Sequence, residues 1–378
     1  MKKQLLKTVY SVTNYMFFIL MFGSVFNSIP LLGDVSTSIA GSLIHIWIIF
    51  GIILFIISLL FLKENNDNLS IINTIVNSIS LAMCIFILIR IIYSFNVQDL
   101  NVSMFKTYFK QNVSEVKTEY REYKDEEGNE FPLNLYYLDE LNDKPIIVYI
   151  HGGGWIEGSE NDNEYTSKVL AMNGYNIVSV GYELSNDEKH LWDKNEKQIL
   201  YALAWVSQNL KVDSIYMIGD SAGGNIVLNI AYKINDKTYS DINGMILPTV
   251  NAISVNYPVT NPTSFYYNDS SMSKEISKTM VTRYIGGTPE EYPQRYEEIS
   301  PEKHISENIP PTFIIVGEND ALVPPESTYG FIEKLNEKGI KNKLVTVPYF
   351  GHAGDKYDNN LFNQAYINQT LEWFKIKN

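Results

Sequence analysis

The sequence is nearly without cysteine. Cys84 is the only one in 378 residues, so an intramolecular disulfide and a cysteine-built metal site are both excluded. It stands in an apolar stretch, where a lone cysteine serves as a small apolar residue. Positive charge is also short. Thirty Lys and Arg oppose 43 Asp and Glu, for a net charge of −13, which argues against a nucleic-acid partner because phosphate binding needs clustered basic residues. Histidine is scarce enough to enumerate: His45, His151, His190, His304 and His352. Internal repeats and low-complexity stretches are lacking as well.

Apolar residues are plentiful, at 45% of the chain, but unevenly spread. Three long runs, at about residues 10–32, 39–62 and 71–95, fall in the first hundred residues. Each reaches the ~20 residues a helix needs to cross a bilayer, and lipid leaves helices as the natural form. Residues 1–100 are therefore read as a membrane region with three transmembrane helices and the lipid bilayer as partner. A signal peptide fits less well, because two further runs follow the first and no small-residue cleavage site does. A soluble helical lid would be amphipathic, whereas the second and third runs are apolar nearly all round. Lys2, Lys3 and Lys7 favour an N-terminus inside, and the loop around Asp34 has no basic residue; three spans then put the remainder outside, at the plasma membrane. Lys63, Arg90, Lys106 and Lys110 weigh the other way. His45 falls inside the second run and is read as a satisfied or snorkelling side chain.

From about residue 115 strands and helices alternate. Strands are expected at 116–123, 131–137, 145–150, 176–182, 214–218, 312–316 and 343–346, and helices near 164–172, 194–208, 225–234, 325–338 and 360–375. Near-continuous apolar strands between helices mean a mostly parallel sheet covered on both faces, an α/β fold over 115–378.

Gly219-Asp-Ser-Ala-Gly-Gly-Asn225 follows one of these strands and precedes a helix. Gly-x-Ser-x-Gly in a strand–turn–helix setting makes Ser221 a candidate nucleophile, with Gly219 and Gly223 clearing space for the turn. The motif alone is weak, expected by accident about 0.1 times in such a chain. His151-Gly-Gly-Gly-Trp155 follows another strand and supplies the second element: a loop that turns backbone N–H groups inward, as an oxyanion requires. The candidate donors are Gly153, Gly154 and Ala222, with His151 and Gly152 as loop support. A phosphate loop is disfavoured, since neither a Lys-Ser/Thr pair nor Gly-x-Gly-x-x-Gly is present.

In such elbows the acid and then the histidine follow the serine along the chain. Only His304 and His352 follow Ser221. His352 lies in Tyr349-Phe-Gly-His-Ala-Gly354, after the last expected strand, and is preferred. The acid should follow the 312–316 strand, where Glu318 and Asp320 are both candidates and Asp320 is preferred for reach. Asp355 is excluded by chain order and read as a helix cap.

These motifs resemble those of the α/β-hydrolases, in the hormone-sensitive-lipase-like and feruloyl-esterase-like (BD-FAE-like) branches. Ser300-Pro301, Pro310-Pro311 and Gly317-Glu-Asn-Asp-Ala-Leu-Val-Pro324 resemble the region around the acid. The resemblance implies an α/β-hydrolase fold and serine carboxylesterase chemistry on short- or medium-acyl esters. It implies a Ser221–Asp320–His352 triad and no metal or organic cofactor. The substrate would be a small-molecule, lipid or envelope glycan ester. Glu183-Leu-Ser-Asn-Asp-Glu-Lys-His190 departs from the proline-rich segment usual there. Residues 261–301 form either a cap or a crossing helix. Acyl transfer or peptide cleavage with the same triad, and a non-catalytic membrane-anchored binding protein, are the rival functions.

Overall fold

The computed structural model describes residues 2–141, 144–270 and 272–375. Met1 and residues 376–378, at the outer ends of the two expected regions, lie outside the described residues, as do the side chains of Lys2 and Lys3. The chain forms two compact units. One comprises Met1–Lys110, Gly317–Ala321 and Val347–Gln364; the other comprises Gln111–Val316, Leu322–Thr346 and Ala365–Asn378.

The first unit is built on helices α1 (Lys2–Val25), α2 (Leu32–Ala40), α3 (Ile44–Asn65) and α4 (Asn68–Val97). Three segments, Gln4–Val25, Ile44–Asn65 and Asn68–Val97, are long and apolar enough to cross a membrane. The apolar runs misplace two boundaries. The first helix stops at Val25, before Pro30, which cannot donate a backbone hydrogen bond. Leu32–Ala40 then forms a short helix of its own, and the second long helix starts only at Ile44. His45 consequently sits in the first turn of α3 rather than inside it. It is buried, its ring packs edge-on against Tyr108 at 5.4 Å, and its carbonyl accepts the Tyr108 hydroxyl at 2.8 Å. Its Nδ1 has no hydrogen-bond partner among the described residues.

A polar seam joins α1 to α4. Asn73 donates to Ser11 Oγ at 2.7 Å, Asn77 to Asn14 Oδ1 at 3.0 Å, and Asn14 to the Asn73 carbonyl at 2.9 Å. At its end Lys7 Nζ meets Asp67 Oδ1 at 2.7 Å, and Asp67 also caps α4 by accepting the Ser70 N–H at 2.9 Å. In a bundle set in lipid such side chains would bond across helices, because hydrocarbon offers no alternative partner.

The second unit carries an eight-stranded sheet. Its strands are β1 (Lys117–Lys124), β2 (Glu130–Tyr137), β3 (Ile146–Ile150), β4 (Asn176–Val180), β5 (Ser214–Asp220), β8 (Thr249–Asn256), β9 (Thr312–Gly317) and β10 (Asn342–Val347); β6 (Asp241–Ile242) and β7 (Met245–Ile246) form a separate two-stranded ladder. The order is β1-β2-β4-β3-β5-β8-β9-β10. β1/β2 and β2/β4 pair antiparallel; β3/β4, β3/β5, β5/β8 and β8/β9 pair parallel. β3, β4 and β9 are buried along their whole length, so both faces are covered. The connections carry α5 (Glu164–Met172), α6 (Lys194–Leu210), α7 (Ala222–Asn235), α8 (Pro262–Tyr266), α9 (Lys274–Ile285), α10 (Pro293–Glu298), α11 (Pro325–Glu337) and α12 (Leu361–Lys375). Because α12 begins at Leu361, Asp355 is not its cap.

β8 is absent from the sequence reading. Thr249-Val-Asn-Ala-Ile-Ser-Val-Asn256 mixes polar residues into what becomes a central strand. Those polar groups are bonded inside: Ser254 Oγ pairs with Thr370 Oγ1 at 2.7 Å, and Asn256 donates to Asp220 Oδ1 at 2.9 Å.

Candidate active site

Ser221 links β5 to α7 with φ 51° and ψ −116°. A left-handed φ on a residue bearing a side chain costs about 1–3 kcal/mol, and surrounding structure must hold it. The Ser221 N–H donates to the Asn256 carbonyl at 2.9 Å, and its carbonyl accepts the Asn225 N–H at 3.0 Å. The turn leaves no room for side chains beside it. A Cβ on Gly219 would lie 2.8 Å from the Gly223 carbonyl oxygen, and one on Gly223 would collide with the Ile150 and His151 carbonyls. Asn225 then ties the head of α7 down, donating to the Val259 and Ile299 carbonyls at 2.8 Å each.

Beneath the serine is a buried carboxylate that sequence reasoning did not single out. Asp220 accepts the Tyr149 hydroxyl at 2.7 Å, Asn256 Nδ2 at 2.9 Å, and Asn163 Nδ2. Its only sequence signal is a charge beside the candidate nucleophile, at the end of an apolar strand.

The glycine loop abuts this turn. A Cβ on Gly152 would lie 2.9 Å from the Asp220 carbonyl and 3.4 Å from Ser221 Cβ. Gly153 and Gly154 have φ 103° and 60°, and Trp155 continues at φ 62°. The Gly153 carbonyl accepts N–H groups from Ile156 and Glu157 at 3.1 Å each, which curls the loop tightly. His151 anchors it. Its ring stacks on Tyr182 at 4.2 Å, the Tyr182 hydroxyl donates to its carbonyl at 2.9 Å, and its Nδ1 lies 2.8 Å from the Gly152 carbonyl. Burial lowers the His151 pKa, so the ring is neutral at pH 7. The Nδ1–H then donates to the Gly152 carbonyl, leaving a buried Nε2 without a partner among the described residues.

Side chains of α8 and α9 pack against this loop. Trp155 stacks on Tyr284 of α9 at 4.6 Å and meets Phe265 of α8 edge-on at 6.1 Å. Met280 of α9 occupies the space into which a Gly154 side chain would extend. The divergent segment 183–190 contributes as well, with the Ser185 N–H donating to the Trp155 carbonyl at 2.9 Å.

Asp320 and His352 are brought together within the first unit. Asp320 follows β9, His352 follows β10, and His352 Nδ1 lies 2.7 Å from Asp320 Oδ2. Asn319 joins their loops: its Oδ1 accepts the Tyr349 N–H at 2.9 Å, and its own N–H donates to the Phe350 carbonyl at 3.0 Å. Sequence reasoning passed over Asn319 as part of the turn before the carboxylate. The alternatives lie elsewhere. Glu318 is exposed, and His304 bonds through Nε2 to the Glu298 carbonyl at 2.7 Å. Ser221 and the glycine loop belong to the second unit.

A family model described as BD-FAE matches residues 133–335, just over half of the chain. Among characterised relatives, Esterase LipC of Mycobacterium tuberculosis is 25% identical over 229 residues, covering 57% of this chain and 54% of that protein. Carboxylesterase NlhH of the same species is 26% identical over 236 residues, covering 59% and 71%. The chain spans about half the length of the first curated relatives it matches. Among solved structures, one named Bacterial Heroin Esterase superposes with TM-score 0.60 at 17% identity, over 71% of this chain and 86% of that one. Esterase LipW from Mycobacterium marinum gives 0.57 at 19%, over 76% and 90%. These likenesses show the α/β-hydrolase fold.

Proposed function

Because the chain belongs to the BD-FAE family, we propose that it is a membrane-anchored serine carboxylesterase that cleaves short- or medium-acyl esters through an acyl-enzyme on Ser221. The observation that carries this reading is the strained Ser221 at the head of α7, with a glycine loop packed against its turn. His352 takes the Ser221 proton as Oγ attacks the ester carbonyl, and Asp320 holds the ring tautomer and stabilises the imidazolium. N–H groups of Gly153, Gly154 and Ala222 receive the oxyanion, helped by the positive end of α7. The alcohol leaves with the proton, and water then attacks the acyl-enzyme with His352 again as base.

The names of LipC and NlhH support ester hydrolysis as the chemistry. The three long apolar helices support a bilayer anchor at residues 1–100, and the basic N-terminus favours a hydrolase, residues 115–378, that faces outward from the plasma membrane.

Ser221→Ala in the full chain tests the reading. Turnover of p-nitrophenyl acetate and labelling by a fluorophosphonate should both vanish while the fold persists. Retained turnover would sink the assignment.

A further inference from the structure

The helical unit contains an apolar groove of about 530 Å³ among α1, α2 and α3. That lies within the roughly 300–1,000 Å³ of small-molecule sites. Met16, Leu20, Val35, Ile39, Trp47 and Phe50 contribute to its walls. Val35 and Ile39, one helical turn apart on α2, are exposed. The Trp47 indole N–H donates to the Ile39 carbonyl at 3.2 Å and fixes that end.

The same short helix backs the loop that bears His352. A Cβ on Gly41, the residue ending α2, would overlap the Tyr349 carbonyl oxygen and lie 2.7 Å from its carbon. A Cβ on Gly351 would lie 2.6 Å from Ser38 Oγ. One short helix thus presents Val35 and Ile39 to a groove among membrane-type helices, and Ser38 and Gly41 to the segment next to the base.

We propose that the groove holds the alkyl chain of a membrane-resident amphiphile and that the enzyme removes a short acyl group from its headgroup end. The occupant is a bilayer lipid chain because the groove is formed largely by helices long and apolar enough to cross a membrane. Packing of α2 against residues 349–351 sets that chain beside the His352 loop. The substrate class is therefore a short-acyl ester of a long-chain lipid. The inference rests on the esterase reading and deepens it. Water supplies the hydroxyl of the released acid, and the lipid alcohol departs with the proton.

Hexadecyl acetate in phosphatidylcholine vesicles and soluble p-nitrophenyl acetate form the same acetyl-enzyme and differ only in the alcohol. In the full chain reconstituted into vesicles, Val35→Phe and Ile39→Trp should lower kcat/KM for hexadecyl acetate about tenfold more than for p-nitrophenyl acetate. A chain-brominated, non-hydrolysable hexadecyl ether should quench the fluorescence assigned to Trp47 by difference from Trp47→Phe, and Val35→Phe should weaken that quenching. An unchanged ratio between the two acetates in both groove variants, or Trp47 quenching that Val35→Phe leaves intact, overturns the proposal. Failure of the wild-type protein to cleave either acetate would instead sink the esterase reading beneath it.

Discussion

His352 Nδ1 meets Asp320 Oδ2 at 2.7 Å, and the Asp320 side chain has no solvent exposure while that of His352 keeps 17%. A buried carboxylate at Nδ1 fixes which ring nitrogen carries the proton, and in the proposed mechanism Nε2 then exchanges the proton with Ser221. Asp320→Asn should preserve size but disturb that tautomer, lowering kcat on the order of 10³–10⁴-fold. The measurement is p-nitrophenyl acetate turnover alongside near-UV circular dichroism. A loss smaller than tenfold with an intact spectrum would remove Asp320 from the triad.

Asn319 should act on the same pair from one step away. Its side chain fixes the Tyr349 N–H, and Tyr349 sits at φ 62°, a conformation that needs external support. Asn319→Ala should lower kcat about tenfold with KM near the wild-type value, because the His352 loop loses its register while Ser221 and the glycine loop are untouched. Asn319→Asp keeps the accepting oxygen and should restore most of the rate. Equal loss in both variants would argue for a general stability effect instead.

Asp220 tests the foundation of the nucleophile turn. Removing its carboxylate takes one hydrogen bond from each of three side chains, the buried Tyr149 and Asn256 and the half-buried Asn163. Loss of a hydrogen bond by a buried donor costs about 1–3 kcal/mol, so Asp220→Ala should destabilise the sheet unit by more than a single bond. Tyr149→Phe removes one bond together with its donor and should cost only about 1 kcal/mol. Denaturant titration of the full chain in detergent measures both. Comparable losses in the two variants would mean that Asp220 is not the hub.

The nucleophile turn and the glycine loop were legible because glycine spacing records a backbone constraint directly. Gly219, Gly152 and Gly223 are each hemmed in by neighbouring backbone, and no side chain could stand there. The sheet was legible where strands are wholly apolar, as in β3 and β9. It was not legible at β8, whose Ser254 and Asn256 look like surface residues until their buried partners Thr370 and Asp220 arrive from distant sequence. The helical region shows the same limit. Hydropathy marks the spans, but it merges the short α2 into its neighbours. Asn14, Asn73 and Asn77 read as interruptions, whereas they pair with one another across about sixty residues. Asp220 and Asn319 were missed for this reason too, since their roles depend on partners that only folding supplies.

The end of the polar seam makes a pH-dependent prediction. Hydrogen bonding to Lys7, with further help from Ser70, lowers the Asp67 carboxyl from 3.8 to about 2. A carboxyl depressed on folding stabilises the folded state above its unfolded value and loses that contribution as pH falls through the folded one. The Lys7–Asp67 link should therefore hold the α3–α4 turn to α1 at neutral pH and release it between about pH 4 and pH 2. Asp67→Asn separates the two roles of this side chain. Asparagine caps a helix as well as aspartate does, so the bond to the Ser70 N–H survives while the ion pair is lost. Acid unfolding of the full chain in detergent, followed by far-UV circular dichroism, should show a component in wild type that Asp67→Asn lacks. High salt should shrink the same component, because Asp67 is half exposed and its pair is screened. Identical acid titrations for wild type and Asp67→Asn would show that the pair does not hold the bundle together.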